Sequence, residues 1–257
     1  MINTPYINAK TRQELTRKTL PPNPNVGSTC LRDSNYSSNE RLVANRHRNY
    51  SFFSSLKMKF LHVGCGKQTK KSTTRGFNSS AWQETRFDID NKVSPDIVGS
   101  MTDMSSISDE SFDAIYSSHN IEHLYPHEVG LALTEFRRVL KDDGFIFITC
   151  PDLQSVCKLV AEDRLLEVAY NSAAGPISAV DMLYGHREEM KAGNLYMSHR
   201  SGFTQNALLG TVKHFGFKSF ASLRRETHFD LFLLATKDER TEGELEELAA
   251  LHFPPQT

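Results

Sequence analysis

The sequence is poor in cysteine, in long apolar runs and in net charge, and each shortage narrows what the chain can be. Its four cysteines, Cys30, Cys65, Cys150 and Cys157, form no C-x-x-C pair. A chain of 257 residues can bury a core without disulfides, so these read as free thiols of a reducing, cytoplasmic setting. No apolar run approaches the roughly 18 residues a spanning helix needs, so no membrane partner is expected. No charged-then-apolar leader opens the sequence. Net charge is −1, which leaves the molecule as a whole without the electrostatic footprint of a nucleic-acid binder. The charge is unevenly spread: residues 1–57 hold nine Lys or Arg against three Asp or Glu, net +6, and the remainder is net −7.

Residues 1–57 are rich in Asn, Ser, Thr, Arg and Pro, show no sustained apolar period, and read as a basic disordered tail. The ordered pattern begins abruptly at Met58-Lys59-Phe60-Leu61, which makes Met58 a candidate for the true start. Five short apolar runs follow: KFLHV, TRFDID, PDIVG, FDAIYSS and GFIFITC. Runs this continuous suit a parallel sheet covered on both faces. Between the fourth and fifth, Val129, Leu133, Phe136 and Leu140 repeat at helical spacing after Pro126, with Gly144 as the expected stop. Thr204 predicts the N-cap of a second helix carrying Leu208, Val212 and Phe215 and ending at Gly216. KSFASLRRE and FDLFLLATK read as a hairpin turning at Thr227-His228. The fold expected is α/β: a Rossmann-like, doubly wound, mostly parallel sheet ending in an antiparallel hairpin. Residues 151–203 are too long for a crossover and read as a helical cap insertion after strand five, with a helix pattern after Asp152. Residues 237–257 read as an acidic tail with a short helix at GELEELAALH.

The first strand runs directly into Gly64-Cys65-Gly66, where glycines let the backbone pass close to a ligand. Asp88 follows 22 residues after Gly66, at the end of the second run. An acid at about that distance is placed to accept from both hydroxyls of a ribose. The dinucleotide fingerprint needs a third small residue where Thr69 stands, so a nicotinamide enzyme is disfavoured.

The order FLHVGCG, FDID, PDIVGSMTDM, SFDAIYSSHNIEHL and EFRRVLKDDGFIFITCPD resembles the class I S-adenosylmethionine-dependent methyltransferases, in particular the bacterial small-molecule group, over about residues 60–236. The resemblance implies a methyltransferase domain at 58–236, S-adenosylmethionine as cofactor, and methyl transfer to a polar small molecule. It places Gly64, Cys65 and Gly66 at the methionine part of the cofactor and Asp88 at the ribose, with Ile89 adjoining and Asp90 the competitor. It places Asp103 at the adenine amino group, with Met104 beside the ring, and Ser118 at the fourth strand end. One departure stands out. Where the family commonly has a carboxylate that helps hold the methionine ammonium, this chain has His62, which cannot pair with a cation. A cofactor-binding protein or scaffold without transferase activity is the alternative this departure raises.

SSHNIEHLY contains His119-x-x-Glu122-His123, the inverted order of a zinc-protease helix motif. The preceding FDAIYSS reads as strand, so His119 and His123 are not expected in helical register, and no metal is expected. Glu122 and His123 are expected to bond to backbone or to the insertion. His119 falls at the carboxyl edge of the sheet and is the first candidate for a general base, with His199 and His186 next. Asn120, Tyr184, His186, Tyr196 and Arg200 are the candidate acceptor-binding residues, alongside Asn194 and Phe203. Aromatic walls with a few polar tips suit a small polar molecule, and Arg200 suits a carboxylate or phosphate on it. A nucleic-acid methyltransferase is disfavoured because Ser118-His119-Asn120-Ile121 stands where N/D-P-P-[YFW] is needed.

Overall fold

The apolar runs pair as expected. The computed structural model describes residues 57–255, so the expectations for the basic tail fall outside the described residues. Strands β1 (Met58–Val63), β2 (Trp82–Asp88), β3 (Ile97–Val98), β4 (Phe112–Ser118) and β5 (Leu140–Pro151) form the parallel part of one sheet. The hairpin β8 (Ser219–Arg225) and β9 (Asp230–Thr236) closes it through an antiparallel β5–β9 pairing. The order across the sheet is β3-β2-β1-β4-β5-β9-β8.

Alternate side chains of each strand point to opposite faces, and each face has its own core. Leu61, Val63, Ile115, Ile146 and Ile148 meet helices α1 (Val129–Val139) and α5 (Gln205–His214). Phe60, Tyr116, Phe145 and Phe147 form an aromatic cluster with Phe77 and Trp82 on the other face. Thr204 caps α5 by accepting from the Ala207 N–H, and Gly216 ends it at φ 91°.

Helix α1 ends earlier than its periodicity suggests. Leu140 is extended and opens β5, so Gly144 lies within the strand. The last helical carbonyls, of Arg138 and Val139, accept from the N–H groups of Glu110 and Ser111. A neighbouring loop therefore satisfies the helix end without a glycine cap.

Between β5 and α5 the chain makes α2 (Leu153–Ala161), a two-stranded hairpin β6 (Val168–Ser172) and β7 (Gly175–Ser178), then α3 (Ala179–Tyr184) and α4 (Arg187–Lys191). The expectation of a helical insertion is thus corrected: part of it is a hairpin. Val156, Leu159, Ile177, Ala179 and Met182 give it a small core of its own.

The short helix expected at GELEELAALH forms, but 237–255 is not a free tail. α6 (Glu242–His252) opens with a capping box at Thr241 and Glu244, and Leu245, Leu248 and Phe253 pack on the aromatic face. The connection from β1 to β2 holds only a short 3-10 turn at Lys70–Ser72. The last helix thus covers a face that a crossover helix covers in a regular doubly wound sheet. Its end is gripped by the loop after that turn: Gly76 N–H donates to Leu251 O and Arg75 to Ala250 O.

His252 is the key to this docking. It is buried among Phe77, Phe145 and Phe147, and its Nδ1 lies 2.7 Å from Thr74 Oγ1. Burial lowers its pKa to about 4. The folded value is below the unfolded one, so the full stability is present above about pH 6.5 and is lost progressively down to about pH 4. Urea unfolding is expected to show a loss of about 2 kcal/mol between pH 7 and pH 5 that is absent from His252→Leu. Equal pH dependence in the two proteins would remove His252 from this role.

Candidate active site

The carboxyl ends of β1, β2 and β4 and the facing side of the insertion enclose a cleft of about 650 Å³. Its floor is the glycine turn. Gly64 and Gly66 have φ of 61° and 51°, a region that disfavours side chains. A Cβ on Gly64 would lie 2.0 Å from Asn120 Oδ1, whereas one on Gly66 would meet nothing within 4 Å. Gly64 therefore admits the Asn120 side chain, and Gly66 leaves bare backbone facing open space. Asn120 donates from Nδ2 to Val63 O and Ser118 O, each at 2.9 Å, and so fastens β1 to β4.

Asp88, nearly buried at the end of β2, organises this turn. Its carboxylate accepts from the Gly66 N–H at 2.7 Å and from the Asp90 N–H at 2.9 Å. Asp90 uses its own carboxylate locally, capping a 3-10 turn through the Lys92 N–H. Arg86 was not singled out from sequence, yet it donates to Gly66 O, Gln68 O, Val93 O and Ser94 O and ties two loops together. Nothing in TRFDID marks it for that task. The Cys65 side chain is buried, and burial raises its thiol to about 11, so the turn offers backbone and not a thiolate.

His62 is turned away from the cleft. Its Nδ1 lies 2.6 Å from Glu84 Oε1, and its ring packs edge-on against Tyr116. Burial lowers its pKa and outweighs the opposing pull of Glu84.

Two expected cofactor contacts are corrected. Met104 is fully buried in the core, and Asp103 lies outside the cleft beside Thr102, Ser105 and Glu135. The cause is a tight turn, Asp103 N–H to Ser100 O, that takes the chain inward after Met101. Gly99, Ser100 and Met101 line the cleft instead, with the half-exposed Ile89. Ser118 lines it as well, its hydroxyl paired with Thr149.

Beyond β4 the chain kinks at His119, a non-glycine residue at φ 54°, and makes a 3-10 turn at Ile121–His123. The expectation that His119 and His123 share no helix holds. Glu122 departs from expectation: only its backbone carbonyl bonds to the insertion, accepting from the N–H groups of Arg200 and Ser201. Its carboxylate is fully buried with no hydrogen-bond partner among the described residues, although His119 Nδ1 stands 3.4 Å from Oε1. Burial disfavours both charged forms, but each partner's charge outweighs that: His119 is raised and Glu122 lowered. The His119 side chain is 52% exposed, so its ring reaches the solvent side of the pair while the Glu122 carboxylate does not. His199 packs edge-on against His123, and burial lowers its pKa.

From the insertion, His186, Asn194, Tyr196, His199 and Arg200 line the same cleft. His186 also N-caps α4. Arg200 stacks over the Tyr125 ring at 4.8 Å. Two expectations fail. Tyr184 does not line the cleft and is 63% exposed, and Phe203 is buried in the main core.

Residues 61–148 match the family model of a methyltransferase domain. That segment is thus similar to a methyltransferase domain, and S-adenosylmethionine is the cofactor this likeness implies. Among solved structures, the chain is similar to a S-adenosylmethionine-dependent methyltransferase from Archaeoglobus fulgidus at 16% identity and TM-score 0.45, covering 76% of this chain and 93% of that one. It is also similar to the 1,6-didemethyltoxoflavin-N1-methyltransferase of Burkholderia thailandensis at 12% identity and TM-score 0.46, covering 81% and 94%. At these TM-scores neither bears on the site. No curated protein matches the sequence. No helix among the described residues is long and apolar enough to cross a membrane.

Proposed function

We propose that the cleft binds S-adenosylmethionine along the glycine turn and Asp88, and that the chain transfers its methyl group to a polar small molecule in the cytoplasm. The observation that supports this most is the Asp88 carboxylate, set beside the bare backbone of Gly66 at the cleft wall. A volume near 650 Å³ suits a cofactor with a small acceptor. The cofactor supplies a methyl group on a sulfonium, already a good leaving group. The work left to this chain is to hold, align and exclude water. Gly64 to Gly66 offer backbone to the methionine part, Asp88 takes the ribose hydroxyls, and Ile89 and Met101 offer apolar surface to the adenine. On the acceptor side, Asn194 Oδ1 is buried without a hydrogen-bond partner among the described residues, and Arg200 offers a cation. His119, with Glu122 3.4 Å from its Nδ1, and His199 from the insertion both line the cleft and are the candidates for a general base.

A binding protein without transfer is the second reading, favoured by His62, which leaves that position without a carboxylate for the ammonium. The test uses the full chain, calorimetry with S-adenosylmethionine, and methyl-labelled cofactor offered with pooled hydroxyl, amine and carbon acceptors. Binding in about the micromolar range with label moving to an acceptor is expected. Binding without transfer to any pool selects the second reading. Failure to bind removes both.

A further inference from the structure

Glu122 carries a carboxylate that is 1% exposed and, among the described residues, receives no hydrogen bond at either oxygen. Burying such a charge without donors is costly. Two imidazoles lie beside it: His123 from the same turn and His199 from the insertion. One possible ligand atom from each of the three residues lies within 4.8 Å of the others. Both rings are pinned through Nδ1, His123 to Ser198 O at 3.1 Å and His199 to Met182 O at 2.8 Å. A carbonyl oxygen can only accept, so each Nδ1 carries the proton. In the neutral rings, Nε2 is then left with a lone pair. The two rings and the carboxylate bring ligand atoms together, and His119, 3.4 Å from Oε1, offsets part of the carboxylate's charge without hydrogen-bonding it.

A cation would satisfy these ligand atoms. An Nδ1–H bonded to a backbone carbonyl is the arrangement that orients metal-bound histidines. Two imidazole nitrogens and a carboxylate oxygen, with a fourth position open, form a ligand set that zinc-class ions accept.

We propose that Glu122, His123 and His199 bind a divalent transition-metal ion of the zinc class in the wall of the cleft. This is not the site the H-x-x-E-H spelling suggests. His119 follows β4 at a kinked residue and is no member of the trio, and the third ligand comes from the insertion, 76 residues beyond His123. With Oε1 nearest His119, the second carboxylate oxygen is available to the ion. All three ligands line the cleft, so the open position faces the acceptor side. There the ion would hold an acceptor oxygen and favour its loss of a proton. That last role rests on the methyl-transfer reading; metal binding does not.

The chain has ten histidines, so binding at this site must be separated from weak surface binding. The full chain, stripped with a chelator, is titrated with Zn²⁺ against a chromophoric competitor, and with Co²⁺ followed by visible absorption. One equivalent is expected to bind. Loss of an outer partner alone costs metal sites about 10–100-fold, so Glu122→Gln and His199→Ala are each expected to weaken binding by more than ~100-fold. His127→Ala, at an exposed residue outside the trio, is expected to bind as the parent does. His199→Ala lies in a loop of the insertion, so it carries the test alone if Glu122→Gln fails to fold. Equal binding by the parent and His199→Ala, or no competitive binding by the parent, overturns the proposal. Ring signals showing doubly protonated His123 and His199 in a protein that binds no Zn²⁺ also overturn it, because protons would then fill the metal's place. Calorimetry with S-adenosylmethionine on the same samples keeps the two readings apart. Cofactor binding without Zn²⁺ binding sinks only the metal site, and Zn²⁺ binding without cofactor binding sinks only the methyl-transfer reading.

Discussion

Asp88→Ala is expected to bring S-adenosylmethionine binding to or below the limit of calorimetry while the chain stays folded. The carboxylate does two jobs. It fixes the turn by accepting from the Gly66 and Asp90 N–H groups, and it stands at the cleft wall where a ribose would present its hydroxyls. A hydrogen bond to a charged group contributes about 1.5–3 kcal/mol. Losing two from the ribose gives about 3–6 kcal/mol, or ~100-fold to ~10⁴-fold in affinity. Loosening of the turn adds to that. Asp88→Asn keeps one acceptor oxygen and is expected to fall between Asp88→Ala and the parent. Asp90→Ala is the discriminating control. Its carboxylate is engaged with Lys92, so an effect below about fivefold is expected. Strong loss at Asp90 with none at Asp88 would move the ribose to Asp90.

The parts of this site legible in sequence are those whose geometry is local. A strand running into Gly64-Cys65-Gly66, and an acid one strand later, lie together because adjacent parallel strands end at the same edge. Register places Val63 beside Phe87, so the turn and Asp88 must meet. The failures share a cause of the opposite kind. The α1 periodicity includes Leu140, but Glu110 and Ser111 take its last helical carbonyls and release the chain into β5. Asp103 and Met104 are displaced by a single tight turn that no periodicity reports. The apparent acidic tail is a docked helix because His252 fits against Gly76, 176 residues earlier in the chain. A Cβ on Gly76 would lie 2.6 Å from that ring. Glu122, His123 and His199 come together only because the insertion returns past the turn after β4, where the Arg200 and Ser201 N–H groups donate to Glu122 O. H-x-x-E-H drew attention to the first two, but spacing alone could not supply the third.

The insertion itself hangs on one buried charge. Asp152 follows β5 and is completely buried. Its carboxylate caps α2 through the Gln154 N–H, accepts from the Ser155 hydroxyl, and receives the Arg224 guanidinium at 2.6 Å from β8. Its own N–H donates to Phe229 O, and the next residue's N–H to Phe203 O, where the insertion rejoins the fold. The start of the insertion, its end and the closing hairpin thus converge on a single residue. Asp152→Ala would leave Arg224, which is only 17% exposed, with a largely buried charge lacking this partner, and would remove a helix cap. Breaking such a pair by removing one partner costs about 3–5 kcal/mol, and the lost cap about 1 more. Against a total stability of about 5–15 kcal/mol, that is a large share. Denaturant unfolding is therefore expected to show a loss of about 4–6 kcal/mol for Asp152→Ala. Asp152→Asn keeps the cap and is expected to lose less. Asp152→Leu with Arg224→Met is expected to recover part of the loss, since a buried ion pair replaced by apolar groups of similar volume is often tolerated. A loss below about 1 kcal/mol for Asp152→Ala would mean that Glu226, 2.8 Å from Arg224, takes over the pairing. The insertion would then be held by its own small core and not by this charge.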